Sequence, residues 1–150
     1  LVSLGPARAR ARDAKRVSDI RQISLAMDMC YGDAVCNARG NDSSYISIVA
    51  DANGRITTTA IGTYMPTIPS EPGGGAATCT TAGSATETAT GVGVAGAYCG
   101  IASTTSTASD YCIFARLSDQ RLFAASKKGA GYIGVAGSAT ALPTALTACP

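Results

Sequence analysis

One amphipathic helix limits what this chain can fold into more than any other feature of the sequence. Helix-forming residues dominate Arg8–Tyr31, with Pro6 before them, where proline suits a first helical turn, and Gly32 after them, where glycine suits a stop. At 100° per residue, five side chains of the second half fall on one arc. These are Val17, Ile20, Ile23, Met27 and Tyr31. The sequence therefore predicts that the second half of the helix packs on a globular body through this stripe.

The first half of the predicted helix is basic. Five basic residues and one acid lie at positions 7–16, whereas the rest of the chain from there onward carries seven basic and nine acidic residues. Alanines are the only apolar residues at 7–16, so we expect this half to project from the body as a stalk. Arg8, Arg12 and Lys15 follow one edge of it, and Asp19 lies one turn beyond Lys15 at ion-pair spacing.

Six cysteines and the absence of histidine narrow the class of protein further. The cysteines are Cys30, Cys36, Cys79, Cys99, Cys112 and Cys149, and none forms the Cys-x-x-Cys spacing of a zinc site. An even number in a small chain favours three disulfides in an oxidising compartment over six buried free thiols, with fifteen connectivities open. A bond between Cys30 and Cys36 requires the helix to end between them, since residues six apart on a helix point about 240° apart.

The second half of the sequence favours a small antiparallel sheet. Runs of β-prone residues at 110–117 and 121–128 flank Ser118-Asp119-Gln120 as the strands of a hairpin, and 131–137 is the candidate for a third strand. The preceding segment, 73–109, consists mostly of small residues that a crosslink would help to order. We therefore expect an α+β fold in which the long helix covers one face of a small antiparallel sheet.

The residue types argue against several functional classes. Without histidine, Ser-His and Cys-His pairs cannot form, and we expect no enzyme activity, no cofactor and no metal. Residues 51–54 (DANG) lack the ligand spacing of a calcium loop, and a plain turn at Asn53-Gly54 is expected instead. The basic residues spread around the helix and few aromatic residues accompany them, which disfavours nucleic-acid binding. Asn41 matches the N-glycosylation pattern, with ordinary polar surface as the alternative.

Three segments together resemble the type IV pilins and the pseudopilins of type II secretion. LVSLGPARARARDAKRVSDIRQISLAMDMCYGD (1–33) is similar to the part of the family's α1 helix that follows the membrane-inserted half. GTYMPTIPSEP (62–72) resembles the connecting loop after the family's αβ region, and YCIFARLSDQRLFAASKKGAG (111–131) resembles the C-terminal β-hairpin. The matching segments occur in the family's order.

The resemblance implies a pilin-like fold in three parts. Residues 1–31 would form the second half of the α1 helix, 32–75 an αβ-type loop, and 76–150 a sheet head with a C-terminal disulfide loop. It also implies that an apolar helical segment precedes Leu1 and supplies the only contact with a membrane. Cys112–Cys149 would resemble the family's closing disulfide, and pairing nearest neighbours throughout adds Cys30–Cys36 and Cys79–Cys99.

The function that the resemblance implies is that of a structural subunit in a cell-surface filament, with an inner-membrane pool before assembly. Copies would stack helically around their α1 helices, with prepilin peptidase and the inner-membrane assembly machinery as partners. The residues expected to contact neighbouring copies are Arg8, Arg12, Asp13, Lys15, Arg16 and Asp19. The alternatives are a secretion pseudopilin, whose calcium site has no matching acidic cluster here, and a secreted module that binds DNA or a surface.

Overall fold

The computed structural model describes residues 4–36, 44–45, 49–50, 56–57, 61–66, 68–69, 72, 87–90, 98–103, 110–138, 140–141, 143 and 146–150. Within these residues, one N-terminal helix packs on a small antiparallel sheet, and two disulfides brace the fold. The predicted α+β architecture is confirmed at this level.

The helix, α1, spans Gly5–Tyr31 and begins three residues earlier than the sequence predicts. Pro6 occupies its first turn, where the missing N–H of proline leaves no bond unmade. The helix ends before Gly32, as expected, and the Asp33 N–H donates to the Cys30 carbonyl oxygen at 3.1 Å. The disulfide Cys30–Cys36, with Cα atoms 5.3 Å apart, joins this helix end to the following loop.

Seven short strands accompany the helix in the described residues. They are β1 (Val49–Ala50), β2 (Ile56–Thr57), β3 (Glu87–Thr90), β4 (Cys99–Ser103), β5 (Tyr111–Arg116), β6 (Leu122–Ser126) and β7 (Gly129–Ile133). The first two pair only with each other, and the other five form one sheet in which spatial order follows chain order. Every neighbouring pair is antiparallel, so the sheet is a simple meander. The Asn53-Gly54 turn predicted between β1 and β2 lies outside the described residues.

The strand predicted at 131–137 is displaced in the structure. The observed β7 starts two residues earlier and stops at Ile133, because Gly134 and Gly137 adopt φ values of +89° and +81°, which end the extended backbone. Thr140 packs closely against Gly134, where an added Cβ would lie 1.8 Å from the Thr140 Oγ1. A larger residue at position 134 would therefore meet both backbone strain and a steric clash.

Strands β5 and β6 are buried on both faces, and their side chains alternate between two cores. Tyr111, Ile113 and Phe123 face the core shared with α1. Phe114 and Leu122 face a second core on the opposite side of the sheet. The C-terminal segment covers this second face with Leu146 and with Cys149, which forms a disulfide with Cys112 of β5. The sequence predicted cover for one face of the sheet only, the face under the helix.

The stripe predicted on α1 lies against the sheet. Ile20, Ile23 and Met27 are completely buried in the shared core, and Val17 and Tyr31 are partly buried against it. The helix contacts β5 and β6, the two strands of the predicted hairpin. This packing decides which side of α1 is left to face outward.

Replacing Ile23 with alanine should destabilise the protein by about 2–5 kcal/mol, because the removed methyl groups leave a cavity between helix and sheet. The matched control is Leu25→Ala, since Leu25 lies two residues away on the same helix with 62% of its side chain exposed. That control should change the free energy of unfolding by less than about 0.5 kcal/mol. Urea unfolding with the disulfides intact measures both values. Equal losses for the two variants would contradict the observed orientation of α1.

Candidate functional site

The most unusual surface in the described structure is the face of α1 that points away from the sheet. Eight exposed and uncharged residues follow this face from one end of the helix to the other, within an arc of about 80°. They are Leu4, Ala7, Ala11, Ala14, Ser18, Gln22, Leu25 and Met29, and we call them the outer stripe. Its two polar members satisfy each other, since the Gln22 amide donates to Ser18 Oγ at 3.0 Å. The outer stripe thus offers a neutral contact surface about 40 Å long.

Basic residues border the outer stripe near its N-terminal end. Arg8 and Arg12 lie on one side of it and Arg10 on the other, and all three are exposed. None of the three forms an ion pair within the described part of the chain. Their charges are therefore available to another molecule.

The remaining charged residues of this half of the helix turn toward the body. The Arg16 guanidinium is buried and lies 2.6 Å from Asp13 Oδ1. Asp13 in turn accepts hydrogen bonds from the backbone N–H (3.1 Å) and the hydroxyl of Ser118 in the β5–β6 turn. Contact between helix and body thus begins at Asp13, one turn before the apolar stripe predicts.

Asp19 forms a second inward contact, on the other edge of the buried stripe of α1. Its buried carboxylate lies 2.5 Å from the Lys15 ammonium, at the predicted pair spacing, and accepts a hydrogen bond from the hydroxyl of Tyr98 beside β4. Of the six residues predicted to meet neighbouring copies, Arg8 and Arg12 are thus fully outward and Lys15 is partly exposed. Asp13, Arg16 and Asp19 turn inward, and all three, like Lys15, have partners within the same molecule. A role for all six in subunit contact stays a prediction.

Near the C-terminal end of α1, one carboxylate accepts hydrogen bonds from two tyrosines. The hydroxyls of Tyr111 and Tyr45 each lie 3.2 Å from Asp28 Oδ1, and Ser24 Oγ lies 2.8 Å from the Tyr111 hydroxyl. Burial is the main cause that raises the pKa of both tyrosines, and the Asp28 charge raises them further. Tyr31 packs against Tyr45, with the two rings tilted by 42°, and completes an aromatic group under the helix end. Asp28 itself is exposed, and no partner for its Oδ2 occurs among the described residues.

A second acid, Asp33, lies just beyond the helix. Its Oδ1 accepts the backbone N–H groups of Val35 (2.9 Å) and Cys36 (3.1 Å), and its Oδ2 accepts the Tyr64 hydroxyl at 2.9 Å. The Cys36 N–H, followed by the Tyr64 hydroxyl and the Val35 N–H, lowers the pKa of Asp33. Asp33 therefore holds a fixed negative charge beside the 30–36 disulfide.

An arginine covers an aromatic ring that belongs to the edge strand β7. The Arg121 guanidinium lies over the Tyr132 ring at 4.5 Å and forms an ion pair with Asp119 at 2.6 Å. The hydrogen bond from Arg121 lowers the pKa of Asp119. Tyr132 also meets the edge of Phe123, whose ring lies under the exposed Arg21 of the helix. Since the charge of Arg121 is already paired, this surface is less available to an anion than the first turns of α1.

Two predicted residues lie outside the described part of the chain: Cys79 and the glycosylation candidate Asn41. Cys99 is disulfide-bonded, and its predicted pairing with Cys79 stays a prediction. The other two predicted disulfides, Cys30–Cys36 and Cys112–Cys149, are present.

Neither a candidate metal site nor a candidate membrane span occurs in the described residues. These residues contain no cluster of three or more acid or cysteine side chains placed to hold a metal ion. In the same ranges, no helix combines the length and the apolar character needed to cross a bilayer.

Comparison with known proteins provides no relative. No protein-family model matches the sequence, and neither a curated protein nor a solved structure matches it significantly. Any functional conclusion therefore depends on the residues and their geometry.

The outer stripe is the feature that the sequence reasoning missed. Its signal was present, since the uncharged residues recur at alternating spacings of three and four along the basic segment, as at Ala7, Ala11, Ala14 and Ser18. The pattern is weak as a contact signal, because alanine is also the strongest helix former and is common on exposed helix faces.

Replacing Tyr111 with phenylalanine should cost about 1 kcal/mol at neutral pH through the lost hydrogen bonds. The same change should reduce the loss of stability at alkaline pH. Because the folded-state pKa of Tyr111 lies above its usual value near 10, its contribution is complete below pH 10 and declines as the pH rises beyond it. Urea unfolding between pH 8 and about pH 11 tests this. Tyr132→Phe, at an exposed ring, is the control, and an alkaline slope unaltered in the Tyr111 variant would contradict the expectation.

Proposed function

We propose that this chain is a structural subunit of a type IV pilus-like extracellular filament and has no catalytic role. The observation that carries the proposal is the outer stripe, which is exposed and uncharged over the whole length of α1. Helices on the surface of soluble proteins normally place charged and polar side chains on their outward face. Here the charged residues flank that face or turn inward, as expected when a second helix covers it.

The composition of the outer stripe suits close packing between helices. Alanine at positions 7, 11 and 14 allows another helix to approach closely, because the distance between helix axes depends on the side chains at the contact. Toward the other end, Leu25 and Met29 are 62% and 51% exposed and offer larger apolar groups. Covering such side chains is favourable by roughly 25 cal/mol per Å² of apolar area.

The inward contacts suit the same role. The Asp13–Ser118 hydrogen bond holds α1 against the body ahead of the apolar core, and the Asp19–Tyr98 hydrogen bond does so beside it. Disulfides at the helix end and across the second core are typical of proteins in oxidising compartments. In this proposal the subunits occupy a cell-surface filament after an inner-membrane stage, and prepilin peptidase and the inner-membrane assembly machinery process and assemble them.

Leu25→Glu should abolish filaments, or reduce their number at least about tenfold, because assembly would bury an unpaired charge at a cost of several kcal/mol. Electron microscopy of cells that express the gene with each variant provides the count. Unfolding of the purified chain should stay within about 0.5 kcal/mol of the original protein, since Leu25 is exposed.

The matched control is Val135→Glu, which places the same charge at a side chain that is 72% exposed and lies off the helix. It should leave filaments intact. Normal filaments with Leu25→Glu, or equal loss with both variants, would contradict the proposal.

A further inference from the structure

The first turns of α1 form a basic surface with no outward acid. Arg8, Arg10 and Arg12 are exposed and form no ion pair within the described residues. The one acid in this part of the helix, Asp13, turns inward and accepts hydrogen bonds from the β5–β6 turn. We call positions 4–14 the N-terminal surface. Its outward side carries three positive charges and no negative charge.

An uncharged face lies between these arginines. It consists of Leu4, which is 61% exposed, followed by three exposed alanines of the outer stripe. Arg8 and Arg12 border it on one side and Arg10 on the other. Basic side chains on both sides of an apolar face are typical of helices that lie in the interface of an anionic bilayer. There the charged groups reach the lipid phosphates while the apolar face meets the boundary of the acyl chains.

We propose that the N-terminal surface binds the headgroup layer of a bilayer that contains anionic phospholipid, without crossing it. This proposal rests on the proposed function, because it names the lipid that a subunit contacts during its inner-membrane stage. Guanidinium groups suit this partner, since they donate paired hydrogen bonds to phosphate oxygens. The contact is mainly electrostatic, because one leucine and three alanines offer little apolar area.

The acids near the other end of α1 determine how the helix approaches the bilayer. Asp28 is exposed, and Asp33 is held ionised because its hydrogen bonds lower its pKa. An anionic surface attracts the arginines and repels these two acids. Arg10 and Asp28 are eighteen residues and roughly 27 Å apart, which exceeds the screening length of about 8 Å at physiological salt. We therefore expect an inclined helix, with its N-terminal end at the bilayer and its C-terminal end raised from it.

Nucleic acid is the other partner that exposed arginines could attract, and the neighbouring side chains favour lipid. Positions 4–14 contain no aromatic residue on which a base could stack. The arginines also lie on two sides of the helix instead of along one edge that a phosphate backbone could follow. The face between them is apolar, and a bilayer interface complements such a face whereas a phosphate backbone does not.

Sedimentation of the 150-residue chain with vesicles measures the contact. We expect binding to mixed phosphatidylglycerol and phosphatidylcholine vesicles that weakens in high salt, and at least about tenfold weaker binding to phosphatidylcholine alone. Arg8→Gln, Arg10→Gln and Arg12→Gln together should weaken binding roughly a hundredfold. Thermal stability should be kept, since glutamine is a good helix former. The control, Lys127→Gln with Lys128→Gln, removes two exposed charges from the β6–β7 turn and should change binding less than about twofold.

Introduced tryptophans test which face and which end of α1 contact the lipid, because the chain has no tryptophan of its own. Ala11→Trp lies on the apolar face between the arginines, so its fluorescence should shift to the blue on anionic vesicles. Leu25→Trp lies on the same face, fourteen residues and about 21 Å further along the helix. It should not shift if the helix is inclined. Val135→Trp, at an exposed residue of the body, should not shift either.

Three results would overturn the proposal. They are equal binding to the two kinds of vesicle, unchanged binding of the triple glutamine variant, and a blue shift of Leu25→Trp as large as that of Ala11→Trp. Tighter binding to duplex DNA than to vesicles at equal phosphate concentration would assign the surface to nucleic acid instead. Displacement from the vesicles by inorganic phosphate at that concentration would assign it to the free ion.

Failure of this contact and failure of the proposed function have different signatures. If the chain does not bind anionic vesicles while Leu25→Glu abolishes filaments, the lipid contact is wrong and the proposed function stands. If Leu25→Glu leaves filaments normal, the proposed function is wrong, and vesicle binding alone decides whether the N-terminal surface contacts lipid.

Discussion

Packing of α1 across β5 and β6 is the contact on which the rest of the described structure depends. Ile20, Ile23 and Met27 enter the shared core without remaining exposure, and this fixes the rotation of the helix about its own axis. Because one face of α1 is buried against the sheet, the opposite face points outward along the whole helix. The exposed outer stripe and the inward direction of Asp13, Arg16 and Asp19 are both consequences of that single rotation.

The charged residues of the N-terminal half divide into two groups with different tasks. Asp13, Arg16 and Asp19 extend the helix–body contact beyond the reach of apolar side chains, and burial makes these pairs expensive to break from one side. The arginines at positions 8, 10 and 12 are solvated and oppose the helix dipole. The inward pairs thus fix the position of α1 on the body. The outward charges make the N-terminal end of α1 positive.

Sequence periodicity predicted the helix and the later hairpin well, because strong 3.6-residue and strand patterns leave few alternatives in α1, β5 and β6. It placed β7 wrongly, because Gly134 and Gly137 adopt left-handed conformations that end the strand, and strand periodicity does not encode that choice. The second core was missed because Leu146 and Cys149 reach the sheet only through the chain's return. Charge spacing predicted the Lys15–Asp19 pair, whereas the contact of Asp13 with Ser118, 105 residues away, could not be read from spacing.

The disulfide between Cys112 and Cys149 ties a central strand to the end of the described chain. Between these two residues lies the turn that follows β7, where residues 134–138 are all exposed and Gly134 and Gly137 have left-handed backbone conformations. Exposed turns of this type are the usual points of attack for proteases. A cut there would leave two peptides that remain covalently joined across the sheet, with the second core still covered. Damage to this surface would therefore leave the two parts of the molecule joined and would not release a fragment.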